Sequence, residues 1–357
     1  MSATEIRLGT RGSQLALWQA RTVAARITET GGPTCRIVTI KTAGDRLQDA
    51  PLSELGGKRL FVKEIEDALL RRDIDIAVHS SKDMPALMPE GLAIAAVLPR
   101  EDPRDAVVLP QGSVLGDQGS GIRDQGISSV ADLVRALGPS PSIGTGSVRR
   151  VTQLMRLFPG ARFAPIRGNL DTRLRKLDAG DYDALVLAAA GLRRLGLASR
   201  ISLALPAEAC IPAPGQGIVA IEVRADDDEH RRVVARIDDV AARIALTAER
   251  ALVEALGGGC QTPIGALAIV VNPVNPVNPV NLVNPVNPVN PVNLEIELVA
   301  TVVALDGSRS VRASARGSGR DAAGLGARVA ARLRADGALE ILAEARATEN
   351  PAHDVQG

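Results

Sequence analysis

A carboxylate and a lysine follow one of the strand-like stretches of the chain. Alternating apolar residues over Ile74–Val78 predict a strand, and His79-Ser80-Ser81-Lys82-Asp83 comes directly after it. Open α/β sheets bind ligands at the carboxyl ends of their strands, so Asp83 is placed where it can face a cleft. The same pattern fits a turn in which Asp83 caps backbone amides and Lys82 is solvated. Both interpretations stay open on the pattern alone.

Six arginines occur at or near predicted strand ends and helix starts. Guanidinium groups at such places bind carboxylates through two parallel hydrogen bonds, and the amino termini of helices after Thr10 and Thr145 add donors for the same anions. The six are Arg11, Arg149, Arg150, Arg167, Arg173 and Arg194. Any one of them fits a solvated surface position, but their shared placement predicts a site for a polyanion.

Strand and helix patterns alternate along the first two thirds of the chain. A strand is predicted at Ile6–Leu8, followed by a helix that Ser13 can cap. The order returns later, with a faint repeat between Asp73–Val78 and Asp181–Val186. This alternation predicts parallel sheets in two similar α/β domains that face each other across a cleft.

The chain then changes character. Pro212–Gly217 predicts a hinge, from which the strand Ile218–Val223 returns to the first domain. A third region follows, with a long helix at Val240–Leu256 and then a glycine-rich turn, strands and a C-terminal helix. The expected units are residues 1–102 with 218–235, residues 103–217, and residues 236–348, followed by a flexible tail at 349–357.

Composition narrows the class of function. Lys and Arg total 42 against 41 Asp and Glu, and aromatic residues make up 1% of the chain, so neither a basic field nor a set of stacking platforms supports binding to nucleic acid or to a membrane. No apolar stretch has the length of a membrane span, and the first residues do not form a signal peptide. Three scattered cysteines without a C-x-x-C pair fit a reducing compartment and argue against zinc. We expect a cytoplasmic protein, a monomer, that handles a small molecule and binds no metal.

Ordered motifs over nearly the whole chain resemble the porphobilinogen deaminase (hydroxymethylbilane synthase) family. The matching segments are Thr10–Gln19, Gly56–Glu64, Ala77–Asp83, Arg100–Ala106, Arg167–Asn169, Ala190–Leu192, Pro214–Gly217 and Gly258–Gln261. Two features depart from the family: Gly146 stands where many relatives have a hydroxyl residue, and the loop Gln111–Gln125 is longer. Neither departure touches a matched site residue.

The resemblance implies a fold, a cofactor and roles for residues. The fold would be two α/β domains like those of periplasmic binding proteins around a cleft, plus a smaller C-terminal α+β domain. Cys260 would hold a dipyrromethane cofactor by a thioether, and Asp83 would be the catalytic carboxylate. The residues that match binders of substrate are Arg11, Ser13, Lys82, Thr145, Ser147, Arg149, Arg150, Arg167, Arg173 and Arg194. The implied reaction joins porphobilinogen units head to tail into hydroxymethylbilane.

The implied chemistry explains these residue types. Porphobilinogen must lose ammonia to give an azafulvene-like cation before a pyrrole attacks it, and a carboxylate near the pyrrole N–H stabilises that charge. The same carboxylate can shuttle protons in each round. For Cys260, glycines at 257–259 provide a flexible setting for a tether, whereas Cys35 and Cys210 fit small apolar fillers.

Two other classes of protein share parts of this pattern. A solute-binding protein of the same two-domain fold would bind an organic anion without chemistry, but it has no use for Asp83 or for a thiol on a loop. A nucleotide-dependent enzyme would use Gly144-Thr145-Gly146 as a phosphate-binding turn, but neither the third glycine of G-x-G-x-x-G nor the Lys-Ser/Thr ending of a P-loop follows.

A Val-Asn-Pro repeat occupies Val271–Leu294, between two predicted strands, Ala266–Val270 and Glu295–Val303. Proline at nearly every third position cannot sustain a strand ladder, and it favours an extended, polyproline-like arm. Loop closure tolerates such an insertion at low cost, so we expect it to be a mobile hairpin loop without a role in catalysis. An arm that binds a partner is the functional alternative, although the repeat has no charge and no aromatic anchor.

Overall fold

The computed structural model describes residues 5–42, 62–112, 114–115, 122–123, 127–258, 262–271 and 294–349. Strands and helices are numbered along these ranges. The strands are β1 (Ile6–Thr10), β2 (Cys35–Thr39), β3 (Ile76–Ser80), β4 (Leu92–Val97), β5 (Asp105–Val108), β6 (Val114–Leu115), β7 (Ile122–Arg123), β8 (Ser142–Gly144), β9 (Arg162–Ala164), β10 (Ala184–Ala188), β11 (Leu203–Ala204), β12 (Val219–Arg224), β13 (Ile264–Val271), β14 (Glu295–Val303) and β15 (Ser310–Ser318). The helices are α1 (Gln14–Glu29), α2 (Lys63–Leu70), α3 (Val130–Leu137), α4 (Val148–Leu154), α5 (Leu170–Asp178), α6 (Ala189–Arg194), α7 (Asp228–Val234), α8 (Val240–Ala255), α9 (Ala322–Ala335) and α10 (Ala338–Glu349).

The first domain is built on a five-stranded sheet of order β2-β1-β3-β12-β4. Helix α1 begins where the sequence predicts, because the Ser13 hydroxyl accepts a hydrogen bond from the Ala16 amide at 3.3 Å. Its buried face carries Ala20, Val23 and Ile27 at helical spacing, and these side chains pack on the sheet. The interior strand β12 is buried along its whole length, as expected for a strand covered on both faces.

The second domain has a five-stranded sheet of order β11-β5-β10-β8-β9. Strands β8, β9 and β10 run parallel, so their carboxyl ends lie at one edge of the sheet. Apolar side chains from both faces fill two clusters, one around Val107 and Leu154 and the other around Leu177 and Leu192. The rigid sheet thereby fixes the starting points of the loops at that edge.

The expectation of parallel sheets is wrong for two strands. Strand β12 lies antiparallel between β3 and β4, and β5 lies antiparallel to β10. Both strands directly follow a hinge segment, so the chain enters each sheet from the cleft side. The strands that precede helices run the other way, because they end at the cleft side. Both sheets are accordingly mixed.

Two chain segments cross between these domains side by side. The Leu98 amide donates to the Val219 carbonyl and the Glu101 amide to the Gly217 carbonyl, both at 3.0 Å. Gly217 has φ +88°, and a β-carbon there would lie 2.2 Å from the Glu101 carbonyl oxygen. Only glycine allows the two hinge segments to approach so closely.

The third domain packs helices on a three-stranded antiparallel sheet, β13-β14-β15. Helices α8 and α9 cross closely, because Gly326 presents no β-carbon to the Ala248 carbonyl. The pairing of Val271 with Glu295 confirms that the strands flanking the repeat form a hairpin. Val271 completes β13 and Leu294 is buried, so both belong to the folded hairpin, and residues 272–293 lie outside the described residues.

Several other expectations can be compared with the structure. The loop Gln111–Gln125 contains the short pair β6–β7, and Ser129 caps α3 shortly after it. The tail at 350–357 lies outside the described residues, and the predicted domain boundaries stay predictions. Among the described helices, none combines the length and the apolar character that crossing a bilayer requires.

Candidate active site

The predicted site residues follow the carboxyl ends of parallel strands in both sheets. In the first domain, β1 pairs with β3, which brings the turn at Arg11 and Ser13 to the same edge as the 3₁₀ turn Ser81–Asp83. In the second domain the residues follow β8, β9 and β10 in turn. They are Thr145, Ser147, Arg149 and Arg150 after β8, Arg167 and Arg173 after β9, and Arg194 after β10.

Asp83 and three of the arginines form a charge cluster between the two domains. Burial lowers the pKa of the Arg173 guanidinium to about 10, and the neighbouring cations Arg150 and Arg167 lower it further. The Asp83 carboxylate acts on the same pKa in the opposite direction, so this side chain of the first domain lies near Arg173 of the second. Arg173 is oriented by its Nε, which donates to the Gly168 carbonyl at 3.0 Å. The cluster has three cations and one carboxylate, which suits a ligand with several negative charges.

The Asp83 carboxylate is partly buried and faces this cluster without a fixed partner. Within the described ranges no amide or side chain donates a hydrogen bond to it, whereas the 3₁₀ turn is closed by the backbone bond from the Met84 amide to the Ser81 carbonyl at 3.1 Å. The interpretation of Asp83 as a cap for turn amides has no support from the described contacts. The carboxylate is instead available to a ligand.

Arg149 and Arg150 do not present open guanidinium groups, because both bind Asp105. Asp105 is fully buried at the start of β5, and its carboxylate accepts from Arg149 Nη1 at 2.6 Å and Nη2 at 3.1 Å, and from Arg150 Nε at 2.8 Å. Backbone carbonyls add further partners: Arg149 Nη1 also donates to the Ile211 carbonyl and Arg150 Nη1 donates to the Val186 carbonyl, whereas the buried Nε of Arg149 has no partner among the described residues. Burial alone would raise the pKa of Asp105, but the two cations lower it far below its usual range.

The hinge residue Gln216 joins this ion cluster to Lys82. Gln216 is 1% exposed, and its Nε2 donates to the Pro103 carbonyl at 2.6 Å and to Asp105 Oδ1 at 3.0 Å. Its Oε1 accepts from Lys82 Nζ at 3.4 Å. The amide of one hinge side chain therefore links the lysine beside Asp83 to the carboxylate that holds Arg149 and Arg150.

The hydroxyl residues predicted at the site lie at turns. Ser13 caps α1, and Thr145, which is buried, accepts from the Ser147 amide through Oγ1 at 3.4 Å. Ser147 stands at the N-terminus of α4, where its side chain makes no capping bond, so its hydroxyl is available to a ligand. Arg11 lies in the turn between Thr10 and α1 and is partly buried.

Cys260 lies outside the described residues, but the structure describes the helix before it and the strand after it. Helix α8 ends at Ala255, Gly257 has φ +61°, and β13 begins at Ile264. Burial raises the pKa of Cys35 to about 11 and that of Cys210 to about 12, so both of these thiols stay protonated at neutral pH. Cys35 is half-buried, and Cys210 is not the apolar filler that the sequence suggested, because its thiol donates to Asp105 at 3.3 Å within the buried ion cluster.

Helix α8 contacts both the turn that carries Asp83 and the hinge segment. Arg250 Nη2 donates to the Ala86 carbonyl at 2.7 Å, three residues after Asp83. Glu249, fully buried, binds Arg100 Nη1 at 2.6 Å and accepts from the Gly215 amide at 2.6 Å. From Arg250 the helix runs about 9 Å to Leu256, at the roughly 1.5 Å rise per residue of an α-helix. The connection that contains Cys260 thus starts about 9 Å along α8 from the contact with the Asp83 turn.

Sequence reasoning did not identify Asp105, Gln216 or Trp18 as functional residues. Asp105 and Gln216 belong to motifs that resemble the family, but nothing local signals that a carboxylate will pair with two arginines 44 and 45 positions further on. Trp18 lies 5.6 Å from the Arg194 guanidinium carbon, measured to the ring centroid. The signal available in the sequence was that Trp18 is the only tryptophan of the chain.

The fold defines an α/β protein whose arginines and Asp83 follow the carboxyl ends of strands in two sheets, and comparisons with known proteins specify the family. The sequence model of "Porphobilinogen deaminase, dipyromethane cofactor binding domain" matches residues 6–232, and that of "Porphobilinogen deaminase, C-terminal domain" matches residues 243–335. The porphobilinogen deaminase of Pelotomaculum thermopropionicum is 42% identical over 97% of this chain and 98% of its own, and that of Geotalea daltonii is 40% identical over 96% of each. The chain belongs to the porphobilinogen deaminase family.

Solved structures give weaker matches. The BvgS VFT2 domain of Bordetella pertussis has a TM-score of 0.36 at 15% identity, covering 65% of this chain and 86% of its own. An ancestral cationic amino acid solute-binding protein has a TM-score of 0.37 at 14% identity, and the match covers 65% of this chain and 87% of its own. Family membership confirms the predicted enzyme class, a transferase of tetrapyrrole biosynthesis, and the predicted dipyrromethane cofactor.

Proposed function

We propose that the chain joins porphobilinogen units head to tail into hydroxymethylbilane, with release of ammonia, on a dipyrromethane primer that a thioether attaches to Cys260. Asp83 is the catalytic carboxylate. The binders of acetate and propionate groups are Arg11, Ser13, Lys82, Thr145, Ser147, Arg149, Arg150, Arg167, Arg173 and Arg194. The enzyme works in the cytoplasm as a monomer, on a small-molecule substrate and without nucleic acid.

The observation that carries the proposal is that Arg173 is coupled electrostatically to the Asp83 carboxylate and also to the cations Arg150 and Arg167. A receptor for organic anions would lose affinity from a carboxylate among its arginines, because like charges repel. An enzyme that generates a cation from a carboxylate-bearing substrate needs residues of both charges. Cationic residues bind the carboxylate side chains of the substrate, and one anionic residue stabilises the reacting ring. The combination of charges therefore favours an enzyme over a protein that only binds an anion.

The residues present fit a dipyrromethane group. Each pyrrole ring carries an acetate and a propionate, and the excess of arginines over Asp83 at the cluster provides counter-charges for them. The bound primer supplies the pyrrole that attacks each new unit. Arg173, oriented by the Gly168 carbonyl, would bind a carboxylate of the primer directly, whereas Arg150, whose guanidinium nitrogens already bind Asp105 and the Val186 carbonyl, would contribute positive charge.

Asp83 acts on the incoming substrate. Its carboxylate lies opposite the pyrrole N–H and stabilises the positive charge that develops as the amine leaves. It also holds the proton displaced from the attacked ring position until that proton passes to solvent. Since the carboxylate has no fixed partner among the described residues, it can serve each round without first breaking a hydrogen bond.

The proposal is tested by replacing Asp83 with Asn in primer-loaded enzyme and measuring ammonia release. The amide keeps the shape but lacks the charge, and we expect a loss of about 10²–10³ in kcat, the usual effect of removing one electrostatic stabiliser. Glu90→Gln in the same loop is the matched control, since this carboxylate is exposed. Turnover of Asp83→Asn at the level of Glu90→Gln would remove Asp83 from the mechanism.

A further inference from the structure

Arg194 is a partly buried cation without a bound carboxylate among the described residues. Its Nη2 donates to the Gly217 carbonyl of the hinge at 2.6 Å. Burial lowers its pKa to about 10, and the more distant charge of Glu101 acts in the opposite direction. Glu101 itself lies 4.0 Å from Arg193, the preceding residue. The guanidinium therefore keeps donors available for an anion that enters the cleft.

An aromatic ring of the opposite domain faces this cation. The Trp18 ring belongs to α1 of the first domain, whereas Arg194 ends α6 of the second, and the guanidinium carbon lies 5.6 Å from the ring centroid. The two helices pack against each other at Gly191, where a β-carbon would be in ordinary van der Waals contact, 3.6 Å from Leu15. A cation within about 6 Å of an indole face is attracted by the ring quadrupole.

We propose that Trp18 is a positioning residue for substrate binding, which holds the Arg194 guanidinium in the cleft while leaving its charge uncompensated. The inference rests on the proposed role of Arg194 as a binder of substrate carboxylate. An acidic residue in place of Trp18 would also hold Arg194, but it would compete with the substrate for the same donors. Indole restrains the cation and takes none of its hydrogen bonds, so the carboxylate meets a preorganised partner.

The effect should appear in substrate binding and not in the chemical step. Losing the ring returns rotamer freedom to Arg194, and we expect Trp18→Leu to raise KM for porphobilinogen by about three- to tenfold, with kcat changed less than twofold. Trp18→Phe keeps a weaker aromatic face and should fall between wild type and Trp18→Leu. Leu15→Ala is the matched control, because it loosens the same contact between α1 and α6 without touching Arg194.

A double-mutant cycle in primer-loaded enzyme separates this inference from the proposed function. If Trp18 acts through Arg194, Trp18→Leu raises KM in the wild-type background and adds nothing in the Arg194→Leu background. An equal rise in both backgrounds, or an equal rise in Leu15→Ala, would overturn the inference and leave the role of Arg194 intact. An unchanged KM in Arg194→Leu would instead defeat the proposed role of Arg194, and the inference with it.

Fluorescence gives a readout that does not depend on activity. Trp18 is the only tryptophan, so the emission of the chain reports the surroundings of this ring. We expect the emission maximum of Arg194→Leu to differ from that of wild type, because a charge beside the ring is removed, and that of Arg194→Lys to lie closer to wild type. Identical spectra in all three proteins would contradict the contact.

Discussion

Replacing Asp105 with Asn should destabilise the enzyme strongly, because this single carboxylate neutralises two buried arginines. Asp105, Arg149 and Arg150 have side chains exposed by 0%, 5% and 8%. Without the carboxylate, the two cations keep only neutral partners: the Ile211 carbonyl at 2.8 Å and the Cys210 sulfur at 3.5 Å for Arg149, and the Val186 carbonyl at 2.9 Å for Arg150. Removing one partner of a buried ion pair costs about 3–5 kcal/mol, since the remaining charge stays buried without compensation.

Urea unfolding at pH 7 measures this loss. With a slope of about 3 kcal/mol per molar urea, the midpoint should fall by roughly 1–1.7 M. The control is Asp226→Asn, which breaks the exposed pair with Arg72, whose side chains are 71% and 64% exposed, and it should cost under about 1 kcal/mol. A midpoint for Asp105→Asn no lower than that of Asp226→Asn would refute the reasoning.

Acid gives a second check on the same residue. The folded-state pKa of Asp105 is depressed, so its contribution to stability is present above the unfolded pKa, about 3.9, and is lost as pH falls below that value. The difference in free energy of unfolding between wild type and Asp105→Asn should therefore be constant from pH 7 to about 5 and shrink below pH 4. A difference that grows in acid would contradict the assigned charge state.

Three further changes have defined outcomes. Arg173→Leu should raise KM by about tenfold or more, because a charge-assisted hydrogen bond to a carboxylate contributes about 1.5–3 kcal/mol. The control is Arg175→Leu, two residues along α5, which should leave KM unchanged because this side chain is exposed. Equal effects of the two substitutions on KM would refute the role of the cluster. Ser13→Ala should lower the free energy of unfolding by about 0.5–2 kcal/mol through the lost cap, as urea unfolding would show, and no loss would contradict capping. Replacing residues 272–293 by a short Gly-containing turn should leave primer attachment and turnover nearly unchanged, since the flanking strands already pair, and a large loss in folded enzyme would show that the arm takes part in catalysis.

Local pattern predicted most elements of the fold but not how two strands would pair. Helix α1 begins after Ser13, as its cap and apolar spacing indicate. The spacing of apolar residues in Ile218–Val223 indicates a buried strand but not its direction, so the sequence could not predict that β12 pairs antiparallel with its neighbours. The direction depends on where the hinge delivers the chain, which is a property of the whole topology.

The candidate site shows the same limit. Strand ends and charge predicted Asp83 and the arginines as residues of one cleft, and the structure brings Asp83 near Arg173. The pattern could not show that Arg149 and Arg150 would bind Asp105, because an arginine near a strand end looks the same whether its partner is a substrate or a buried carboxylate. Their roles toward substrate stay predictions, now with Asp105 as the residue that orients them.

The most direct test of the central claim is the intact mass of the denatured enzyme. Wild-type enzyme should be heavier than its sequence by one dipyrromethane, and the mass should increase by further pyrrole units after exposure to porphobilinogen. Cys260→Ser should have the mass of the bare chain before and after exposure, because no other thiol is proposed to carry the primer. A wild-type mass equal to that of the bare chain under both conditions, or a primer on Cys260→Ser, would contradict the account.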